Sequence, residues 1–167
     1  MVNDIKVLII EDSKASVYYE VAQLKRSGFN VMYEQIENAE ALREALSNSN
    51  WDIILSDHEM PNFSSIEALQ ILNETELDIP FIIVSDGIEQ EIAQEAMREG
   101  CRDYIMKDKL VQLGPAIKRE LDNLNRKVKW KIWNYIDIEF FSKKLLISVM
   151  AILLTLNKKF RSFSRVI

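Results

Sequence analysis

Short apolar runs alternate with helical periods along the first 125 residues. Residues 5–10, 30–36, 52–56, 81–85 and 103–106 are each four to seven residues long and mostly apolar. Runs of this length read as strands. Between them, apolar side chains recur at helical spacing. Val17, Val21 and Leu24 mark one helix over residues 13–27, capped by Ser13 and stopped at Gly28. Asn38 caps a second over residues 39–46. Pro61 then breaks the chain, and Ser64 or Ser65 caps a third that carries Ile66, Leu69 and Leu72. A fourth spans residues 88–99 and ends at Gly100, and Pro115 sits in the first turn of a last helix from Ala116 past Leu124. Strands that are apolar throughout are buried on both faces. The pattern therefore predicts an α/β domain, a doubly wound sheet of five parallel strands with βα repeated five times.

Charge divides the chain. Residues 1–125 hold 11 Lys and Arg against 24 Asp and Glu, a net of −13, whereas residues 126–167 hold 10 against 2, a net of +8. The split predicts a domain over residues 1–125 and a basic, hydrophobic C-terminal extension over residues 126–167. An acidic body is a poor match to nucleic acid. The single cysteine, Cys101, leaves no internal disulfide. The start reads as a strand and not as a secretory signal, so a cytoplasmic setting is expected.

In open α/β sheets, ligands bind beyond the carboxyl ends of the strands. The first strand ends at Glu11 and Asp12, the third at Asp57, the fourth at Ser85 and the fifth at Lys107. Clustered carboxylates repel unless a cation lies among them. A hard oxygen set without Cys or His favours Mg²⁺. One carboxylate can serve as the nucleophile of an acyl phosphate, while the metal and a lysine neutralise the moving phosphoryl group.

The segments VLIIEDS at 7–13, DIILSDHEMP at 52–61, PFIIVS at 80–85 and AMREGCRDYIMKD at 96–108 carry a resemblance. With 28 residues from Asp57 to Ser85 and 50 from Asp57 to Lys107, the chain resembles the receiver domain of two-component response regulators through about residue 125. The resemblance implies a flavodoxin-like fold and a phosphorelay role. Asp57 would be phosphorylated by a sensor histidine kinase or a phosphotransfer protein, and the module would signal through a conformational switch. It would catalyse only its own phosphorylation and dephosphorylation. Glu11, Asp12, Asp57 and the backbone carbonyl of Glu59 would hold Mg²⁺. Ser85 would bond the phosphoryl group, Lys107 would pair with it, and Tyr104 would swing inward on activation.

Three positions depart from the family pattern. Ser65 stands where Gly is usual, Asp86 where Ala or Gly follows the switch hydroxyl, and Asp108 where Pro often follows the lysine. Asp86 places a fourth negative side chain beside the phosphoryl position. It keeps a second reading open, a docking module that has the receiver fold and works without phosphorylation. A Mg²⁺-dependent phosphohydrolase is disfavoured, because it needs a second Asp where Glu59 stands. His58 should point away from Asp57 along the strand, Cys101 should pack as a small buried residue, and Trp51 should cap the third strand.

In the extension, residues 145–156 carry no charge and are flanked by Lys143, Lys144, Lys158 and Lys159. This run is shorter than the ~20 residues that a membrane span needs. Three readings stand. The extension is an interfacial anchor, with Trp130, Trp133, Phe140 and Phe141 at lipid headgroups, or a helix that makes a homodimer, or an unselected end.

Overall fold

The computed structural model describes residues 3–163 apart from Ser49 and Ile88. Five strands form one parallel sheet: β1 (Asn3–Ile10), β2 (Phe29–Ile36), β3 (Ile53–Ser56), β6 (Phe81–Ser85) and β7 (Asp103–Met106). Their order is β2-β1-β3-β6-β7, with every pairing parallel. The expected doubly wound α/β fold is the observed one.

The burial of both faces follows from strand geometry, since successive side chains point to opposite sides. Ile5, Val7 and Ile9 of β1 enter one layer, with Val17, Val21 and Leu24 of α1 (Lys14–Arg26) and Leu113, Ala116 and Ile117 of α5 (Leu113–Phe163). Leu8 and Ile10 enter the other layer. There they meet Leu42 of α2 (Ala39–Asn48), Leu69 and Leu72 of α3 (Ser65–Asn73), and Ala96 of α4 (Gln90–Arg98). Truncating one of these fully buried Leu or Ile residues to Ala costs about 2–5 kcal/mol.

Helix ends follow local chemistry. Ser13 Oγ accepts from the Ser16 N–H at 3.3 Å and caps α1. Past the end of α1, Gly28 takes φ 91°, a left-handed conformation that costs glycine little. Ser64, rather than Ser65, caps α3, in a reciprocal capping box with Glu67. The residues around Pro61 are not merely a break. β4 (Glu59–Met60) and β5 (Phe63–Ser64) pair antiparallel around a turn in which Asn62 has φ 65°. Asn tolerates that region better than most residues, and this turn chemistry was not read from the sequence.

A 3₁₀ segment (Lys107–Gln112) follows β7, so α5 begins at Leu113 and not at Ala116, with Pro115 in its first turn. The chain divides into two units, Met1–Asp122 and Asn123–Ile167. In the second unit Val128, Trp130, Ile132, Trp133 and Tyr135 are exposed. The side chains of Phe140 and Phe141 lie outside the described residues. Among the described residues, no helix is long and apolar enough to cross a membrane.

Candidate functional site

The strand order reverses direction between β1 and β3, where the chain leaves the sheet centre on opposite sides. That switch point is where open α/β sheets place ligands. Glu11 follows β1 and is 1% exposed, while Asp57 follows β3 and is 9% exposed. The Asp57 N–H donates to the Ile10 carbonyl at 2.8 Å, which continues the sheet pairing one residue beyond β3. This bond ties the two carboxylates to one edge.

Lys107, the residue after β7, crosses to both. Its Nζ donates to Glu11 Oε2 at 2.7 Å, to Asp57 Oδ2 at 2.9 Å and to Ser16 Oγ at 3.3 Å. The other Asp57 oxygen accepts from the His58 N–H at 2.6 Å, and the other Glu11 oxygen from the Ser13 N–H at 2.9 Å. Burial raises the Glu11 carboxyl above its ordinary value, opposed by its bonds to Lys107 and Ser13. Burial pulls the Lys107 ammonium down, but its bonds to Glu11 and Asp57 outweigh that and hold it above its ordinary value. The result is a half-buried cation clamped between two buried carboxylates.

The remaining candidates are placed less centrally. Asp12 is exposed. Among the described residues, no three carboxylate, imidazole or thiol side chains are gathered closely enough to hold a metal ion. Two like-charged carboxylates approach each other here because Lys107 lies between them. Glu59 opens β4, two residues after Asp57. Ser85 is buried, and its Oγ donates to the Gly87 carbonyl at 3.0 Å and not to Asp57. Tyr104 is half-buried, with its hydroxyl on Met106 Sδ at 2.7 Å.

His58 Nδ1 lies 2.8 Å from Ser65 Oγ, so the imidazole is engaged away from the Asp57 carboxylate. Ser65 fits at its unusual position because it is fully buried against that ring. Cys101 is buried, and the Trp51 Nε1–H donates to the Ala45 carbonyl at 2.9 Å. Asp86 is exposed at the mouth of a cavity that Lys107 also lines.

One residue of this region escaped the sequence reading. Glu20 is buried on α1, and burial, then the charge of Glu11, pushes its carboxyl up to about 8. The signal was present, since Glu20 falls between Val17 and Leu24 on the apolar stripe of α1.

Residues 7–118 match the response regulator receiver domain family. The chain is 32% identical over 113 residues to a protein-glutamate methylesterase/protein-glutamine glutaminase of Caulobacter vibrioides, covering 66% of this chain and 32% of that protein. It is 30% identical over 103 residues to the cell cycle transcriptional regulator CtrA of the same species, covering 61% of this chain and 43% of that one. The chain thus spans a third to less than half the length of these curated relatives. Among solved structures, the signal receiver domain of a signal transduction histidine kinase from Syntrophus aciditrophicus is similar with a TM-score of 0.62 at 26% identity. That match covers 73% of this chain and 93% of the other.

Proposed function

The chain belongs to the response regulator receiver domain family, and from that premise we propose that Asp57 is its phosphoacceptor. The observation that carries the reading is the Lys107 ammonium held between Asp57 and Glu11 at the carboxyl edge of the sheet. An Asp57 oxygen attacks the phosphorus of a phosphohistidine on a sensor histidine kinase or a phosphotransfer protein. A P–O bond forms, the P–N bond breaks, and the imidazole nitrogen leaves with the electron pair. The product is an acyl phosphate on Asp57.

Each side chain of the cluster has a part in that step. The His58 N–H and the Lys107 ammonium orient the carboxylate before attack. Lys107, already charged, then neutralises a phosphoryl oxygen. Glu11 keeps Lys107 at the site through its 2.7 Å bond. Ser85 lies one strand away, buried at the end of β6, and its hydroxyl can exchange the Gly87 carbonyl for a phosphoryl oxygen. Tyr104, the second residue of the neighbouring strand β7 and paired with Ile83, is the side chain that responds to that movement.

Mg²⁺ would be held by the carboxylates of Glu11, Asp12 and Asp57 with the Glu59 carbonyl, a hard-oxygen set of the kind this ion takes; Glu11 and Asp57 meet at Lys107, and Asp12, the next residue after Glu11, is exposed. When bound, Mg²⁺ supplies positive charge to the phosphoryl oxygens during transfer. On this reading the domain catalyses its own phosphorylation and dephosphorylation. Incubation with a small phosphodonor, followed by mapping of the modified residue, tests the reading. Acyl phosphate on Asp57 supports it, and label on another residue contradicts it.

A further inference from the structure

The face of α1 that meets the sheet carries Val17, Glu20, Val21 and Leu24, all buried. Glu20 is 2% exposed, and among the described residues its Oε2 is the buried side-chain oxygen with no hydrogen-bond partner. An unpaired buried carboxyl is costly, and a leucine would serve packing at this position better.

Glu20 lines a cavity of about 460 Å³ with Ser16, Tyr19, Asp86, Lys107 and Leu110. This volume is within the range of small-molecule sites. The charge of Lys107 is already committed to Glu11 and Asp57. That leaves Glu20, Asp86 and Asp108 facing the single cation Arg26 around the cavity.

We propose that this cavity binds a small organic monocation, a primary amine, with the Glu20 carboxylate as its counter-ion. A compact ammonium brings three donors to the Glu20 carboxyl, whose Oε2 is closed off in the free protein and turns into the cavity on binding, and Leu110 and Val111 offer apolar wall to a short alkyl chain. Asp86 and Asp108 attract the cation at the mouth, and a quaternary ion, which has no N–H, cannot hydrogen-bond to the Glu20 oxygen. Burial and the charge of Glu11 keep the free Glu20 carboxyl up to about 8, with Asp57 adding to the rise and Lys107 opposing it. Binding at neutral pH therefore breaks the carboxyl O–H bond. The proton leaves to the buffer, and the carboxylate and ammonium remain as an ion pair.

The test is an NMR titration of the isotope-labelled full chain with butylammonium chloride, and tetramethylammonium chloride as the ionic control. The expected result is saturable shifts at Ser16, Glu20 and Leu110 and movement of the Glu20 carboxyl carbon toward its ionised position. Calorimetry in buffers of different ionisation enthalpy should show net proton release. Glu20→Gln, which keeps the side-chain shape, should lose roughly tenfold or more in affinity, and Asp86→Asn less. Linear shifts, or equal affinity in Glu20→Gln, overturn the proposal. A lysine-containing peptide that saturates the site where butylammonium does not would mark it as a protein-docking surface, which also overturns it.

Discussion

Lys107 Nζ lies 2.9 Å from Asp57 Oδ2, joining two residues that are 50 positions apart in the chain. The fold makes this contact through three neighbouring strands. Asp57 leaves β3, β6 pairs with both β3 and β7, and Lys107 leaves β7. The ammonium reaches across the end of β6 and meets Glu11 from β1 on the far side. Its charge offsets the repulsion that burying Glu11 and Asp57 side by side creates.

A divalent cation should compete for that same pair. Mg²⁺ at millimolar concentration should raise the melting temperature, because it binds the folded cluster and not the unfolded chain. A ligand at a hundredfold its Kd adds about 2.7 kcal/mol. Asp12→Ala should remove most of the effect, since Asp12 follows Glu11 in the chain, is exposed and is one of the proposed ligands. A melting temperature indifferent to Mg²⁺ in the parent chain would contradict the proposed ligand set.

Glu20 should make stability depend on pH. Its carboxyl lies at about 8 in the fold, against about 4.5 when unfolded. Above the unfolded value the denatured chain ionises while the folded one stays protonated, so the unfolded state binds fewer protons. Stability is then fully present below about pH 4.5 and falls as pH rises towards 8. The slope contributed by this one group is at most about 1.4 kcal/mol per pH unit. Urea unfolding across that range should show the decline, and Glu20→Gln should flatten it. An unchanged slope in the variant would mean that other groups cause the decline.

The strands and the edge cluster were legible in the sequence because each rests on a local signal. Runs such as VLII and FIIVS are short, apolar and followed by turn or cap residues, which suits buried strands. Glu11, Asp57 and Lys107 follow such runs directly, which is why their shared edge could be read from the sequence. The β4–β5 pairing was not legible, because two-residue strands carry no period and Pro61 and Asn62 signal only a turn. The role of Ser16 as a third acceptor for Lys107 was equally hidden, since a helix-surface serine has no signature of its own. Glu20 shows the opposite failure, a signal present in the helical stripe and passed over because its neighbours read so plainly as core.

Asp86 should slow phosphoryl transfer. It is exposed beside the cavity mouth, so salt and water weaken its field without abolishing it. Asp86→Ala should speed labelling by a small phosphodonor up to about tenfold at low salt, equal to about 1.4 kcal/mol in barrier. The gain should shrink as salt is added. A rate equal to that of the parent at low salt would show that Asp86 exerts no field at Asp57.

The C-terminal unit should bring the protein to anionic lipid. Trp130, Trp133 and Tyr135 are exposed on α5 among Lys127, Lys129 and Lys131, a pairing of aromatic rings and basic charge that suits a headgroup layer. A chain ending at Arg126 keeps all five strands with Leu113, Ala116 and Ile117, and should fold and accept phosphate. Co-sedimentation with phosphatidylserine vesicles should retain the full chain and release the shortened one. Equal sedimentation would remove the lipid reading, and self-association of the full chain alone would favour the dimer.

The central claim is that Asp57 carries the phosphoryl group and Lys107 supports its arrival. Intact-mass spectrometry after exposure to acetyl phosphate and Mg²⁺ tests both in one series. The parent chain should gain one phosphoryl group, Asp57→Asn none, and Lys107→Ala far less per unit time. The parent without divalent cation should gain almost none. A full phosphoryl adduct on Asp57→Asn would contradict the account.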